Sequence, residues 1–303
     1  TALEQSSNVV AVKLANHVGV DKPLYYAQQM GISTLVMSGR TNDRNLAMSL
    51  GGLTRGVTPL EIASAFGVLA NHGVRVEPVS ILKVIDRTGK VLEQATPKEK
   101  QVVSEKSAYI LTDMMKGVLT RGTGGAANIG RPAAGKTGTT SENKDAWFVG
   151  FTPDLTASVW IGNDNEGNLP GITGGDVPAE IWQTFMAEAA TKYPARDFAR
   201  PSGIVYSTVS NKDGLLVTDP NNKETHNEIF VEGTQPTKPS PLVEEKKVPD
   251  KDKDAKTTKD GKPADSTSQD KQLTPPPPKS DSKPAVTNPQ SPPPPPKQEP
   301  KKN

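Results

Sequence analysis

The sequence predicts an α+β fold in which helices flank an antiparallel sheet. Two segments, residues 58–71 and 105–119, carry apolar residues at the spacing of helices that are buried on one face. Two apolar runs, "DAWFVGFT" and "TASVWIGND", are separated by the short turn "PD" and predict an antiparallel hairpin. Together these segments give the helices and the sheet of the predicted core.

The first helices are predicted from their start and stop signals. Apolar positions after an initial loop predict a helix over residues 8–19, and residues 22–31 predict a shorter one that a glycine closes. The clearest helix starts at Thr58, which can cap it, while Pro59 fits the first turn and Glu61 completes a capping box.

The other elements follow from alternation and turn residues. The stretch "VRVEP", "ILKVID", "RTGK" and "VLEQ" predicts a hairpin. The glycine-rich "TRGTGGAANIG" predicts a flexible loop, and residues 177–191 predict a helix near the end of the core. Residues 203–233 predict a small β-rich appendage with "NKDG" as its turn.

Composition divides the chain into a core domain, residues 1–200, an appendage, 201–234, and a tail, 235–303. The tail holds 17 of the 28 prolines, and no aromatic residue follows Phe230. Such a segment cannot bury apolar surface, so we expect it to be disordered. Its 14 lysines exceed its 10 acidic residues, giving +4 against −2 for the rest, which argues against a folded nucleic-acid-binding face.

The residue inventory excludes several kinds of site. No cysteine is present, so disulfides and thiolate metal sites are excluded. The three histidines, His17, His72 and His226, are scattered, and no metal or cofactor is predicted. No apolar run reaches a membrane span of about 18 residues. The opening "TALEQSSNVV" is typical of the interior of a domain, so we expect a longer protein around this chain.

Residues 130–137, "GRPAAGKT", match the pattern of a nucleotide-binding P-loop. A P-loop needs a buried strand before it and a helix directly after it. Here "GTGGAANI" precedes it, "GTTSENKD" follows it, and Pro132 removes one amide from the cradle. The context therefore disfavours nucleotide binding.

Two short motifs can carry chemistry instead. "KTGTT", from Lys136 to Thr140, places one cation, several hydroxyls and a bare backbone on one predicted strand, which suits a substrate carboxylate. "SSN", from Ser6 to Asn8, places a hydroxyl and an amide on one loop. A solvated turn explains the first motif and a helix cap the second, and Ser141–Asn143 also reads S-x-N, so neither is specific alone.

In combination the motifs resemble the transpeptidase domain of class A penicillin-binding proteins. S-x-N followed by K-T-G is part of the signature of penicillin-recognising serine enzymes. "ALEQSSNVVAVKLA", "SLGGLTRGVTPLEIASAFGVLANHGVRVEP" and "GRPAAGKTGTTSENKDAWFVGFTPDLTASVWIGND" carry the resemblance over residues 1–200. It implies the penicillin-binding/β-lactamase-like fold, incomplete here. It also implies a serine enzyme that forms an acyl-enzyme with D-Ala-D-Ala stem peptides and then cross-links peptidoglycan.

The resemblance also implies roles for single residues. Ser6 and Asn8 are the implied catalytic residues: Ser6 passes a proton to the departing D-Ala nitrogen and Asn8 hydrogen-bonds the substrate amide. The implied substrate-binding residues are Lys136, Thr137, Gly138 and Thr139. Lys136 supplies positive potential, the two threonine hydroxyls hold the terminal carboxylate, and the Thr139 N–H is an oxyanion donor.

The sequence departs from the family pattern at the nucleophile. The family carries it in S-x-x-K upstream of S-x-N. The S-x-x-K strings of this chain begin at Ser80, Ser141, Ser268 and Ser280, all after Ser6, and we interpret them as coincidental. The fragment alone is therefore expected to be inactive, with the nucleophile, a glycosyltransferase domain and a membrane anchor in a missing N-terminal part.

Two alternatives remain open: a non-catalytic wall-binding or scaffolding protein with the same fold, and a hydrolase of the same family. The expected location is the outer face of the bacterial membrane. The expected partners are stem peptides and β-lactams, not nucleic acid or nucleotide. The tail either binds anionic wall polymers or is a passive extension without a partner.

Overall fold

A computed structural model of the protein describes residues 1–165, 167–219 and 222–241. The remainder of the predicted tail, residues 242–303, lies outside the described residues. The helices are α1 (Asn8–Val18), α2 (Asp21–Met30), α3 (Pro59–Ala70), α4 (Glu105–Thr120) and α5 (Val177–Ala189). Short 3-10 turns occupy Leu46–Leu50, Gly125–Ala127, Ser141–Asn143 and Ala190–Lys192. All five predicted helices are present.

The strands form small antiparallel sheets. They are β1 (Val74–Val76), β2 (Lys83–Ile85), β3 (Val91–Gln94), β4 (Glu99–Gln101), β5 (Ala134–Thr139), β6 (Asp145–Phe151), β7 (Thr156–Gly162), β8 (Ile204–Ser210) and β9 (Thr225–Val231). The central sheet has the order β5-β6-β7, with Thr137 opposite Phe148 and Phe148 opposite Val159. The predicted α+β class and the β6–β7 hairpin are confirmed.

The predicted hairpin around the "RTGK" turn is confirmed, and the strand before it has a separate partner. The "RTGK" turn does join β2 and β3 in a hairpin, but β1, which contains "VRV", pairs with β4. Val74 lies opposite Gln101, and the β2–β3 hairpin is inserted between the two paired strands. A strand of three residues leaves little pattern in a sequence. The partner of β1 is therefore set by the place where the chain after Gly73 meets the segment that leads into α4.

The central sheet is covered by helices on both faces. Phe148 packs edge-to-face on Trp182 of α5, and Phe151 packs on Phe66 of α3 and on Phe198. Phe148 and Phe151 are fully buried, as is Trp182. Truncating a buried aromatic of this kind typically costs about 3–5 kcal/mol, so these contacts hold the sheet rigidly between its helices.

The long irregular segment between α2 and α3 is held by Asp43. This carboxylate is 1% exposed and accepts hydrogen bonds from the N–H of Val36 at 2.7 Å and from the N–H and hydroxyl of Thr54, both at 2.6 Å. Burial by itself would raise the pKa of Asp43, but these hydrogen bonds outweigh it and lower that pKa. The carboxylate thereby ties together distant parts of a segment whose regular structure is one short 3-10 turn.

The appendage is the β8–β9 hairpin with Ile204 opposite Val231. The predicted "NKDG" turn is present after β8, where it brings Leu216 back beside Val209. Leu216 also bridges Pro239, and its N–H donates to the Lys238 carbonyl at 3.1 Å. The folded appendage therefore extends into residues 235–241, beyond the boundary predicted at 234.

Candidate functional site

The Ser6 turn, residues 2–6, is held in place by the end of α4 and the residues that follow it. Glu4 is 5% exposed, and Arg121 donates to its carboxylate, with Nε 3.1 Å from Oε2. The N–H of Thr123 donates to the Glu4 carbonyl at 3.1 Å. A Cβ at Gly117 would lie 2.2 Å from Glu4 Oε1, so only a glycine allows this approach.

Within this turn, Ser6 adopts a φ of 52°, in the left-handed region that few residues other than glycine enter. Ser7, not Ser6, occupies the N-cap position of α1, and its side chain makes no capping hydrogen bond. Asn8 is the first residue of α1 and its side chain is exposed. A helix cap therefore does not account for the Ser6 hydroxyl, which faces the central sheet.

Strand β5 carries Lys136 and the following residues along the edge of the central sheet. In the described part of the chain, β5 pairs with β6 alone. The N–H of Thr140 donates to the Asp145 carbonyl at 3.0 Å. Because hydrogen bonding alternates along an antiparallel strand, the N–H of Thr139 points to the other edge, which β6 does not occupy.

Lys136 joins the two motifs. Its Nζ donates to Ser6 Oγ at 2.8 Å and to the Thr137 carbonyl at 2.9 Å. Burial lowers the pKa of Lys136 to about 8 from its ordinary value of 10.5. Both acceptors are neutral oxygens, and within the described ranges no ion pair to a carboxylate offsets the burial. The site thus holds a cation whose positive potential is not cancelled by an ion pair with any described residue.

The two threonine hydroxyls are held by neighbouring segments. Thr137 Oγ1 lies 2.7 Å from Thr123 Oγ1, and the N–H of Gly174 donates to Thr139 Oγ1 at 3.0 Å. A Cβ at Gly174 would lie 2.4 Å from the Gly138 carbonyl oxygen, so this turn packs directly on the strand. Gly138 is itself closely packed, since a Cβ there would lie 3.3 Å from the Cβ of Trp147.

The structure therefore joins Ser6 directly to Lys136, places Thr137 against Thr123 and Thr139 against Gly174, and puts Asn8 at the first position of α1. Sequence reasoning missed Glu4, Thr123 and Gly174, which shape the site. Their contacts span 117, 14 and 35 residues of sequence. Only the glycine-rich composition around Thr123 gave a local signal.

The P-loop geometry is not present. Lys136 and Thr137 lie inside strand β5, and the 3-10 turn Ser141–Asn143 and strand β6 follow it, where a P-loop needs a helix. The second S-x-N string, Ser141–Asn143, contains two left-handed residues, Glu142 and Asn143. Among the described residues, no group of three or more acidic or histidine side chains could hold a metal ion.

None of the described helices combines the length and apolar character needed to cross a membrane.

Comparison with known families gives two matches. The family described as "Penicillin binding protein transpeptidase domain" matches residues 1–187. The family described as "Penicillin-binding protein 1A, C-terminal domain" matches residues 200–245, which contain the appendage.

Curated relatives named penicillin-binding protein 1A are similar over most of the folded part. The protein of Clostridium botulinum (strain Langeland) is 39% identical over 245 residues, and that of Aquifex aeolicus is 34% identical over 237 residues. Each alignment covers 78% of this chain but only 29% and 31% of the relative. The chain thus spans less than a third of the length of these relatives.

Solved structures are similar in fold. The crystal structure of penicillin-binding protein 1A from Haemophilus influenzae matches with a TM-score of 0.70 and 26% identity, covering 79% of this chain and 40% of that one. PonA1 from Mycobacterium tuberculosis, in complex with penicillin V, matches with a TM-score of 0.52 and 29% identity, covering 58% of this chain and 51% of that one.

Proposed function

The chain belongs to the penicillin-binding protein transpeptidase family, and from this premise we propose that it forms the S-x-N and K-T-G part of a D,D-transpeptidase site. The observation that carries the proposal is the hydrogen bond from Lys136 Nζ to Ser6 Oγ, which joins motifs 130 residues apart. The substrate is a peptidoglycan stem peptide that ends in D-Ala-D-Ala. A β-lactam occupies the same site.

The carboxylate end of the substrate is the part that this chain is best equipped to bind. Lys136 supplies a cation without a protein anion, and Thr137 and Thr139 supply hydroxyls on one face of β5. Gly138 lets the peptide lie against the strand edge as an added strand. The Thr139 N–H on that edge serves as an oxyanion donor, a contact typically worth about 3–4 kcal/mol in the transition state.

The reaction then proceeds in two balanced steps. A serine hydroxyl attacks the carbonyl carbon of the penultimate D-Ala, and the C–N bond breaks as the proton of that hydroxyl is relayed through Ser6 to the departing amine. An amine of a second stem attacks the resulting ester, which restores the serine hydroxyl and forms the cross-link. Asn8 hydrogen-bonds the substrate amide.

The nucleophile, in this proposal, comes from residues outside the 303. Ser80 precedes β2 in the small hairpin, and Lys144, three residues after Ser141, lies 3.7 Å from Glu142. Ser268 and Ser280 lie outside the described residues. The exposed apolar face of α1, formed by Val9, Val10 and Leu14, gives such a segment a place to pack beside Ser6.

The product of the complete coding sequence that contains these residues provides the test. Incubation with a labelled penicillin should give one covalent adduct, located by mass spectrometry on a serine of an S-x-x-K outside this chain. Lys136→Ala should slow acylation by at least about tenfold, since a charged hydrogen bond is lost. Lys144→Ala, which changes a nearby, partly buried lysine, is the matched control and should acylate normally.

Other outcomes would favour other functions. An intact, folded product that forms no adduct would favour the non-catalytic wall-binding alternative. A stoichiometric adduct on Ser80 or Ser141 of the 303-residue chain would show that the chain carries its own nucleophile. Saturable ATP binding that Lys136→Ala abolishes would restore the P-loop interpretation.

We further propose an extracytoplasmic location at the outer face of the membrane, with the anchor outside this chain. There the lysine-rich residues 242–303 contact anionic wall polymers. Deleting 242–303 should lower retention on purified cell walls at low salt, and the difference should vanish at high salt. Because residues 235–241 pair with the appendage, the deletion must start after Pro241. Equal retention of both proteins would leave only a passive extension.

A further inference from the structure

Thr123 lies at the meeting point of three segments of the site, although it belongs to neither motif. Its N–H donates to the Glu4 carbonyl at 3.1 Å, in the turn that presents Ser6. Its hydroxyl lies 2.7 Å from the hydroxyl of Thr137 on β5. Its carbonyl oxygen lies 2.3 Å from the position that a Cβ at Gly175 would take, so the turn before α5 packs against it.

We propose that Thr123 is a positioning residue that orients the Thr137 hydroxyl toward the substrate carboxylate and ties the Ser6 turn to β5. This inference rests on the proposed function, because it concerns how the same site recognises its anion.

The chemistry of two hydroxyls sets the direction of the contact. Each threonine hydroxyl has one proton to donate and can also accept. When the Thr137 proton points at a carboxylate, the hydrogen bond between the two residues needs the proton of Thr123. Thr123 then donates to Thr137, and Thr137 donates to the anion, so each hydrogen bond polarises the next.

The backbone of Thr123 is well placed for this role. Glu4 anchors its N–H and the close approach of Gly175 confines its carbonyl, so the backbone that carries the hydroxyl is held by two contacts that do not involve Thr137. Without the Thr123 hydroxyl, the Thr137 side chain loses the partner that selects one of its rotamers.

The test uses Thr123→Val, which keeps the shape and removes the hydroxyl, with Thr123→Ser as the conservative rescue. Thr120→Val is the matched control, because the Thr120 hydroxyl donates only back to the Lys116 carbonyl within α4, at 3.2 Å. In the product of the complete coding sequence, acylation is measured over a range of concentrations of a penicillin and of its methyl ester, which lacks the carboxylate.

For the penicillin, Thr123→Val should raise the half-saturating concentration about tenfold and leave the maximal acylation rate nearly unchanged, the size expected for one hydrogen bond. For the ester it should change little, while Thr123→Ser and Thr120→Val should behave like the wild type. Equal losses for the penicillin and the ester would mean a merely structural role and overturn the inference, as would no loss for either.

A second measurement tests the positioning role of Thr123 even if the proposed function is wrong. In the 303-residue chain, three-bond couplings to the Thr137 methyl carbon report its χ1 rotamer. We expect a single rotamer in the wild type and in Thr123→Ser, and rotamer averaging in Thr123→Val. A single rotamer in Thr123→Val would overturn the inference. A wild-type protein that never acylates would contradict the proposed function and leave this result standing.

Discussion

Glu61 and Lys136 are both partly buried charged residues beside hydroxyl groups, yet their surroundings act on the charge in opposite ways. Glu61 accepts hydrogen bonds from the N–H and hydroxyl of Ser33, at 2.8 and 2.6 Å, and from the N–H and hydroxyl of Thr58, both at 3.0 Å. Burial by itself would raise its pKa, but these four donors lower the pKa of Glu61 to about 2.

Among the described residues, Lys136 donates to two neutral acceptors, Ser6 Oγ and the Thr137 carbonyl, and its pKa falls to about 8 because burial is not offset. The fold therefore stabilises the charge of Glu61 and opposes the charge of Lys136. A charge that the protein satisfies completely fixes structure. A charge that it leaves without a counter-ion is ready for an external anion.

A third charged residue, Glu4, extends the comparison, and Gly117→Ala should have the largest effect on stability. The new Cβ would meet Glu4 Oε1 at 2.2 Å and displace the carboxylate from Arg121. We expect a loss of about 2–3 kcal/mol in the free energy of unfolding, measured by urea denaturation. Gly125→Ala is the matched control, since its Cβ would meet nothing within 4 Å. Equal stability of the two variants would contradict this account of the turn.

Glu61→Ala removes the satisfied charge and should cost about 2 kcal/mol, because it breaks the capping box of α3 and removes the acceptor of the Ser33 N–H and hydroxyl. Glu180→Ala is the control, since Glu180 lies in the first turn of α5 without a capping box. A loss no larger than that of the control would mean that the four hydrogen bonds do not stabilise the fold.

Acid should remove the contribution of Glu61 in a defined window. Its folded pKa of about 2 lies below its ordinary value of 4.5, so the stabilisation is complete above pH 4.5 and is lost as the pH falls toward 2. The stability difference between the wild type and Glu61→Gln should be constant near neutral pH and shrink across this window. A difference that does not change with pH would show that the carboxylate charge is irrelevant.

Lys136→Met should have the smallest effect on stability. It removes a charge that burial disfavours and keeps the apolar part of the side chain, so we expect a change within about 0.5 kcal/mol in either direction. Denaturation of the 303-residue chain measures it. A loss of 2 kcal/mol or more would mean that Lys136 has a structural role like that of Glu61.

The contrast also shows what the sequence could predict. The capping box is local: Thr58 and Glu61 lie within four positions of each other, so the sequence alone predicts it. The placement of Lys136 on a strand was predicted from adjacent residues for the same reason. The burial that lowers the pKa of Lys136 and the contact between Thr123 and Thr137 arise only when distant segments pack together, and no local pattern encodes them.

The same reason explains two further features that the sequence did not reveal. Strands β1 and β4 are three residues long and mostly exposed, so their alternation carries little signal. Residues 235–241 have the composition of the tail, yet Leu216 pairs with them through backbone groups that composition does not reveal. The resemblance to a family supplied the roles of Ser6 and Asn8, which spacing alone left open.

Titration of the Lys136 ammonium in the 303-residue chain, followed by NMR of its Cε and Nζ, tests the central claim most directly. Lys136→Arg identifies the signal, since it removes that resonance. The account predicts a pKa of about 8, and a rise in this pKa when a peptide ending in D-Ala-D-Ala is added, because the bound carboxylate favours the charged form. A pKa at the ordinary value of 10.5, unchanged by the peptide, would contradict the claim that the fold leaves this cation without a counter-ion.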